Sequence, residues 1–146
     1  MKIAVSACLL GENCKYNGGS NRCTRLLELL SGRPDIEAVP VCPEVAGGLS
    51  TPRRPAEIVD GVVIDNQGMS VDREYRLGVD REMAKLSADI ESGELVAVVL
   101  QSRSPSCGVH HVYDGTFSGR LVPGKGVFAS ALEAAGVPLV DASEIR

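Results

Sequence analysis

Apolar residues gather along this chain in short runs, separated by polar stretches that carry glycine, asparagine or proline. Ile3 to Ala7 is the first such run and predicts a buried strand ending at Cys8. Leu9 to Gly19 reads as a loop. Ser20 or Asn21 is placed to cap a helix through Leu30, with Leu26, Leu27, Leu29 and Leu30 on its inner side and Gly32 as its stop. Ile36 to Val41 predicts a second strand, which ends at Cys42. The next stretch holds Pro43, Pro52, Pro55 and the pair Gly47-Gly48, and it reads as a shaped loop rather than a linker. Glu57 to Val59 and Val62 to Ile64 flank Asp60-Gly61, a hairpin signal. From Val71 to Ser92 the apolar residues Tyr75, Val79, Met83, Leu86 and Ile90 form one stripe with charges opposite, the mark of an amphipathic helix. Leu95 to Leu100 is apolar throughout, as expected of a strand covered on both faces. A serine-rich turn leads to Cys107-Gly108. Val109 to Pro123 reads as an irregular excursion, Val127 to Ala135 as a helix closed by Gly136, and Val137 to Val140 as a last strand.

Strands that alternate with helices imply right-handed crossovers. The predicted fold is therefore α/β: one domain over residues 1–146, with an open, mainly parallel sheet flanked by helices, Rossmann-like in the loose sense. Composition agrees. Hydrophobic residues make up 44 % of the chain, but aromatics only 3 %, with no tryptophan, so small aliphatic side chains must fill the core.

Charge narrows the partners. A net charge of −4 leaves no basic surface to neutralise a long nucleic acid, although a single nucleotide or a base remains an acceptable ligand. No run approaches the roughly 20 apolar residues of a membrane span, and the opening run is too short for a secretory signal. The expected setting is the cytoplasm. Five cysteines there, an odd number, do not suggest a disulfide framework. Metal binding, catalysis and simple burial compete to explain them.

Three of the five stand in corresponding places. Cys8 follows the first strand, Cys42 the second, and Cys107 the turn after Leu95–Leu100. In an open parallel sheet all strands end on one edge, and that edge holds the active-site crevice. Soft thiolates that meet there select zinc, Cu(I) or an iron–sulfur cluster. Structural zinc usually takes four ligands in paired CxxC spacing, and no CxxC is present. Three thiolates on a cubane would leave one iron open as a Lewis acid. Buried cysteines acting as small hydrophobes remain the plain alternative.

Longer blocks carry a resemblance. Val5-Ser6-Ala7-Cys8-Leu9-Leu10-Gly11 with Cys14-Lys15-Tyr16-Asn17-Gly18 resembles the opening of the DUF523 family. Val41-Cys42-Pro43-Glu44-Val45-Ala46-Gly47-Gly48-Leu49, Thr51-Pro52-Arg53 and Pro55-Ala56-Glu57 resemble its second block. Ser102-Arg103-Ser104-Pro105-Ser106-Cys107-Gly108 and Tyr113 to Gly119 resemble its third. That family includes thiouracil desulfidases. The resemblance implies a [4Fe–4S] cluster on Cys8, Cys42 and Cys107, which removes the sulfur of a small thiolated pyrimidine. Water replaces it, with no net redox change. It also implies an assisting Glu, matched by Glu44, and an assisting Ser, for which Ser102 is taken. Ser104 and Arg53 are assigned to the substrate, with Arg53 either gripping a phosphate or pinning its own loop. Lys15, Asn17, Ser50, Gln101, His110 and His111 depart from the commoner family pattern and leave the three cysteines in place.

Cys14 reads as a neighbour of the cluster or a packed thiol, Cys23 as packed in the first helix, and His110 and His111 as solvated. Two other functions compete with the desulfidase: a zinc hydrolase on the same three cysteines, and a non-catalytic binding module with buried thiols.

Overall fold

The computed structural model describes residues 1–145. In chain order its elements are β1 (Lys2–Ser6), a 3-10 turn at Ala7–Leu10, α1 (Thr24–Ser31), β2 (Glu37–Val41), α2 (Pro43–Ala46), the hairpin β3 (Ala56–Val59) and β4 (Val62–Asp65), and α3 (Asp72–Ser92). There follow β5 (Leu95–Leu100), a second hairpin of β6 (His111–Tyr113) and β7 (Leu121–Pro123), α4 (Val127–Ala134), β8 (Leu139–Asp141) and a 3-10 turn at Ala142–Glu144.

The main sheet has the order β2-β1-β5-β8, every pair parallel. The chain steps from β1 outward to β2, then crosses back past β1 to β5. That reversal is the topological switch point at which open α/β sheets place their ligands. Register brings the strand ends abreast: Ser6 pairs with Val41, Val5 with Val99, and Leu100 with Asp141. The loops that leave β1, β2 and β5 therefore start side by side.

Alternation along the strands feeds two cores. Ala4, Val98 and Leu100 face a layer made by α3 and α4, where Tyr75, Leu86, Phe128 and Leu132 are buried. Val5 and Val99 face the other way, onto Leu9 and Leu26. Burying each large side chain completely stabilises by roughly 1.5–3 kcal/mol. The α3 stripe is as expected, with Tyr75, Val79 and Leu86 buried and Met83 and Ile90 packed at its edge. Asp60-Gly61 makes the predicted two-residue turn, with φ of 51° and 80°.

Several boundaries differ from the sequence reading, each for a local reason. Helix α1 begins at Thr24 because the N–H groups of Asn21 and Cys23 are committed to the carbonyls of Cys8 (3.0 Å) and Leu9 (2.8 Å). Residues 20–23 are thus tied to the turn after β1, and Cys23 caps the helix instead of lying in it. Leu29 is exposed, since so short a helix buries only Leu26 fully. The proline-rich segment opens with the single turn α2. The stretch read as irregular contains β6 and β7. Among the described residues no helix is long and apolar enough to cross a membrane.

Candidate active site

Cys8, Cys42 and Cys107 line one cavity of about 500 Å³ at the ends of β1, β2 and β5, together with Cys14, Glu44, Arg53, Ser102, Ser104 and Ser106. This size lies within the ordinary range for small-molecule sites. All three tyrosines of the chain, Tyr16, Tyr75 and Tyr113, also line it.

Each thiol is fixed by its own backbone. Cys8 sits in the 3-10 turn after β1. Asn21 holds it twice, donating its N–H to the Cys8 carbonyl (3.0 Å) and its side-chain amide to Cys8 Sγ (3.6 Å). Cys42 is the N-cap residue of α2, with Pro43 in the first turn, where its missing N–H costs nothing. The Cys42 N–H donates to Glu82 Oε2 of α3 at 3.2 Å. Helix α2 lies hard against α3: a Cβ built on Gly78 would come 1.6 Å from the Pro43 carbonyl oxygen, and one on Gly47 would come 1.9 Å from that of Glu74. Cys107 ends the serine-rich loop, whose carbonyls satisfy the free N–H groups at the start of α4: Val127 donates to Pro105 (2.9 Å) and Phe128 to Ser106 (2.8 Å). Gly126 permits this approach, since a Cβ there would lie 2.3 Å from the Ser106 backbone.

Glu44 stands one residue inside α2 and collects donors. Arg53 Nε reaches its Oε1 at 3.0 Å, and Ser106 Oγ its Oε2 at 2.7 Å, with Ser104 Oγ at 3.5 Å. The Tyr75 hydroxyl also bonds it, and burial first, then the Glu44 charge, pushes the Tyr75 phenol well above its ordinary value. The Arg53 side chain is largely buried and its guanidinium is spent on the protein: besides Glu44 it donates to the carbonyls of Ser50 (3.2 Å) and Cys14 (2.8 Å) and to Thr51 Oγ1 (3.0 Å). Of the two readings of Arg53, these contacts favour the one that pins its loop.

The serines divide. Ser102 lines the cavity, but its hydroxyl donates to Asp141 Oδ1 at the end of β8 rather than to Glu44. Ser104 accepts the N–H groups of Ser106 (3.2 Å) and Cys107 (3.1 Å). Ser106, fully buried, lies 2.9 Å from Ser104 and 3.5 Å from Cys107 Sγ, whose sulfur also receives Ser6. Sequence reasoning missed Ser106, Ser6, Tyr75 and Glu82. The run Ser104-Pro105-Ser106 did signal a turn, but not which hydroxyl it aims inward. His110 is paired with Glu144 at 2.8 Å, and neither it nor His111 lines the cavity.

Burial is the main cause that pushes the thiols of Cys8, Cys42 and Cys107 upward, and the Glu44 charge adds to it in each. Cys14 is pushed up to about 12, first by burial and then by Cys42 and Cys8. Soft donors crowded with a carboxylate become stable as thiolates only beside added positive charge. The donor set therefore fits an iron–sulfur group. Among the described residues no three His, Cys, Asp or Glu side chains gather closely enough to grip a single ion.

A parallel α/β sheet whose switch point gathers thiols beside a half-buried carboxylate with several hydrogen-bond donors has the architecture of an α/β enzyme. The comparisons narrow this class. A family model described as 2-thiouracil desulfurase matches residues 3–144, and the chain belongs to that family, also called DUF523, whose members are enzymes. It is similar to the uncharacterized protein YbbK of Bacillus subtilis (strain 168), 36% identical, over 99% of this chain and 97% of that one. It is also similar to a solved structure, the [4Fe-4S]-dependent thiouracil desulfidase TudS, at a TM-score of 0.88 and 34% identity, covering 99% of this chain and 92% of that one.

Proposed function

We propose that the chain, acting as one domain over residues 1–146 in a reducing cytoplasm, is a [4Fe–4S]-dependent desulfidase of a small thiolated pyrimidine. The reaction exchanges the C=S sulfur for the oxygen of water: thiocarbonyl plus water gives carbonyl plus hydrogen sulfide, with no electron gained or lost. The observation that carries this reading is the meeting of Cys8, Cys42 and Cys107 in one cavity with Glu44. Membership of the family and the likeness to TudS support it. The odd number of cysteines, five, agrees with a reducing setting, and the net charge of −4 with a small ligand rather than a long nucleic acid.

Cys8, Cys42 and Cys107 would hold the cluster, which when bound supplies a Lewis-acidic iron with affinity for sulfur. Glu44 takes the proton of the attacking water. Arg53 fixes the carboxylate through Oε1, which leaves Oε2 to exchange partners with Ser106 and Ser104. Ser104, at the cavity wall, hydrogen-bonds the pyrimidine edge. Ser102 holds the serine-rich loop to β8 through Asp141.

Anaerobic reconstitution followed by a sulfide-release assay on 2-thiouracil and on thiouridine tests the proposal. Brown protein that releases stoichiometric sulfide is expected. Glu44→Gln should keep its iron and lose turnover by at least about 100-fold, the lower range for a general base. A colourless protein that binds no iron, or a Glu44→Gln variant of full activity, would overturn the cluster or the base respectively.

A further inference from the structure

Cys14 has no task in the desulfidase reading, yet its thiol lies near enough to that of Cys42 for each to perturb the other's charge. Both sulfurs face the same cavity and neither residue is fully buried. A clamp keeps them together. Arg53 binds the Cys14 carbonyl through Nη2 at 2.8 Å and the Tyr16 carbonyl through its backbone N–H at 2.7 Å. The same side chain binds Glu44, two residues beyond Cys42, at 3.0 Å. One guanidinium therefore ties the turn of Cys14 to the turn of Cys42. The other thiols are placed differently. Cys107 is buried against Ser106, Cys8 receives the Asn21 amide, and Cys23 packs in the core on the far face of the sheet.

We propose that Cys14 and Cys42 form a reversible disulfide in the cluster-free protein, a modification site that keeps Cys42 recoverable. The oxidant is a small-molecule disulfide of the glutathione class. The thiolate of one cysteine attacks it, forms a mixed disulfide and releases one small thiol. The second cysteine then displaces the other small thiol. Two protein thiols and one small disulfide become one protein disulfide and two small thiols: two electrons pass to the oxidant, and each departing thiolate takes up a proton. Excess thiol reverses the exchange. Without Cys14, an oxidised Cys42 has no resolving partner beside it and continues to sulfinic acid, which ordinary thiols do not restore. The bond itself depends only on the placement of the two sulfurs, while its purpose rests on the reading of Cys42 as a cluster ligand.

The test uses the full chain, freed of metal by a chelator under reducing conditions. It is treated anaerobically with oxidised glutathione, quenched with an alkylating reagent and digested. The expected result is a peptide linking Cys14 to Cys42, with Cys8, Cys23 and Cys107 alkylated, and full reversal by dithiothreitol. Alkylation of both Cys14 and Cys42, or a link from either to a different cysteine, overturns the proposal. A second arm exposes metal-free parent and Cys14→Ser chains to hydrogen peroxide, then reduces them and reconstitutes with iron and sulfide. Iron content should recover several-fold better in the parent, and sulfinic acid should appear on Cys42 only in the variant. Equal recovery overturns the protective role. Unoxidised parent that never takes up iron would instead sink the cluster reading, and the peptide map would still decide the disulfide.

Discussion

Arg53 shows how much of this site depends on one side chain. Its planar fork meets Glu44, Thr51 and the carbonyls of Ser50 and Cys14 at once. A lysine supplies the charge but not that fork. Arg53→Lys should therefore keep its iron and lower kcat by about 10–100-fold, the usual cost of removing a partner that orients a reacting group, as measured by sulfide release beside iron content. Ser102 makes a different prediction. Burial opposes the charge of Asp141, but hydrogen bonds from Ser102 and Ser143 outweigh it and hold the carboxyl below its ordinary 3.8. The stabilisation from that depressed value is complete above the unfolded-chain pKa and disappears as pH falls through the folded one. Ser102→Ala should cost about 1–3 kcal/mol in urea unfolding near neutral pH, and the deficit should vanish in strong acid, where Asp141 is protonated in both proteins. That Cys8, Cys42, Cys107 and Glu44 share a cavity was legible because Cys8, Cys42 and Glu44 stand just beyond strand ends and Cys107 closes the turn that follows β5. The inward aim of Ser106 was not, since a turn between prolines and serines fixes side-chain directions through contacts with α2 and α4 that no local pattern encodes; Tyr75 was legible as part of the α3 stripe, but not the bond of its hydroxyl to Glu44.

At the scale of elements, the decisive contact is α2 against α3. Alanine is the better helix former by about 1 kcal/mol, so Gly78 in the middle of α3 looks like a weakness until its neighbour is considered. A Cβ there would strike the Pro43 carbonyl at 1.6 Å. Gly78→Ala should thus destabilise by about 1–3 kcal/mol despite its helix propensity. It should also reduce iron uptake, because α2 must shift and carries Cys42 at its cap. Denaturant midpoints and iron analysis after reconstitution measure both. Long periodic elements such as α3 and β5 could be read directly from the chain. α2, β6 and β7 could not: four residues of helix or three of strand complete no period, and tertiary contact alone makes them.

For the whole molecule, three ligands from the ends of β1, β2 and β5 mean that one bound group would staple both neighbours of the central strand. A group that binds only the folded chain stabilises it by mass action, about 3 kcal/mol at a hundredfold excess over its dissociation constant. Under the desulfidase reading, chelation should lower the thermal midpoint, and Cys42→Ala should melt like the chelated parent even when iron and sulfide are supplied. Scanning calorimetry of the three samples checks this.

The uneven placement of aromatic residues has a practical consequence. Apart from Phe128 and Tyr75 the buried core is aliphatic, tryptophan is absent, and Tyr16, Tyr75 and Tyr113 all stand on the cavity wall. Tyrosine fluorescence of this protein therefore originates at the place where ligands arrive. A strongly absorbing occupant should quench nearly all of it, so the unlabelled chain serves as its own optical gauge of occupancy.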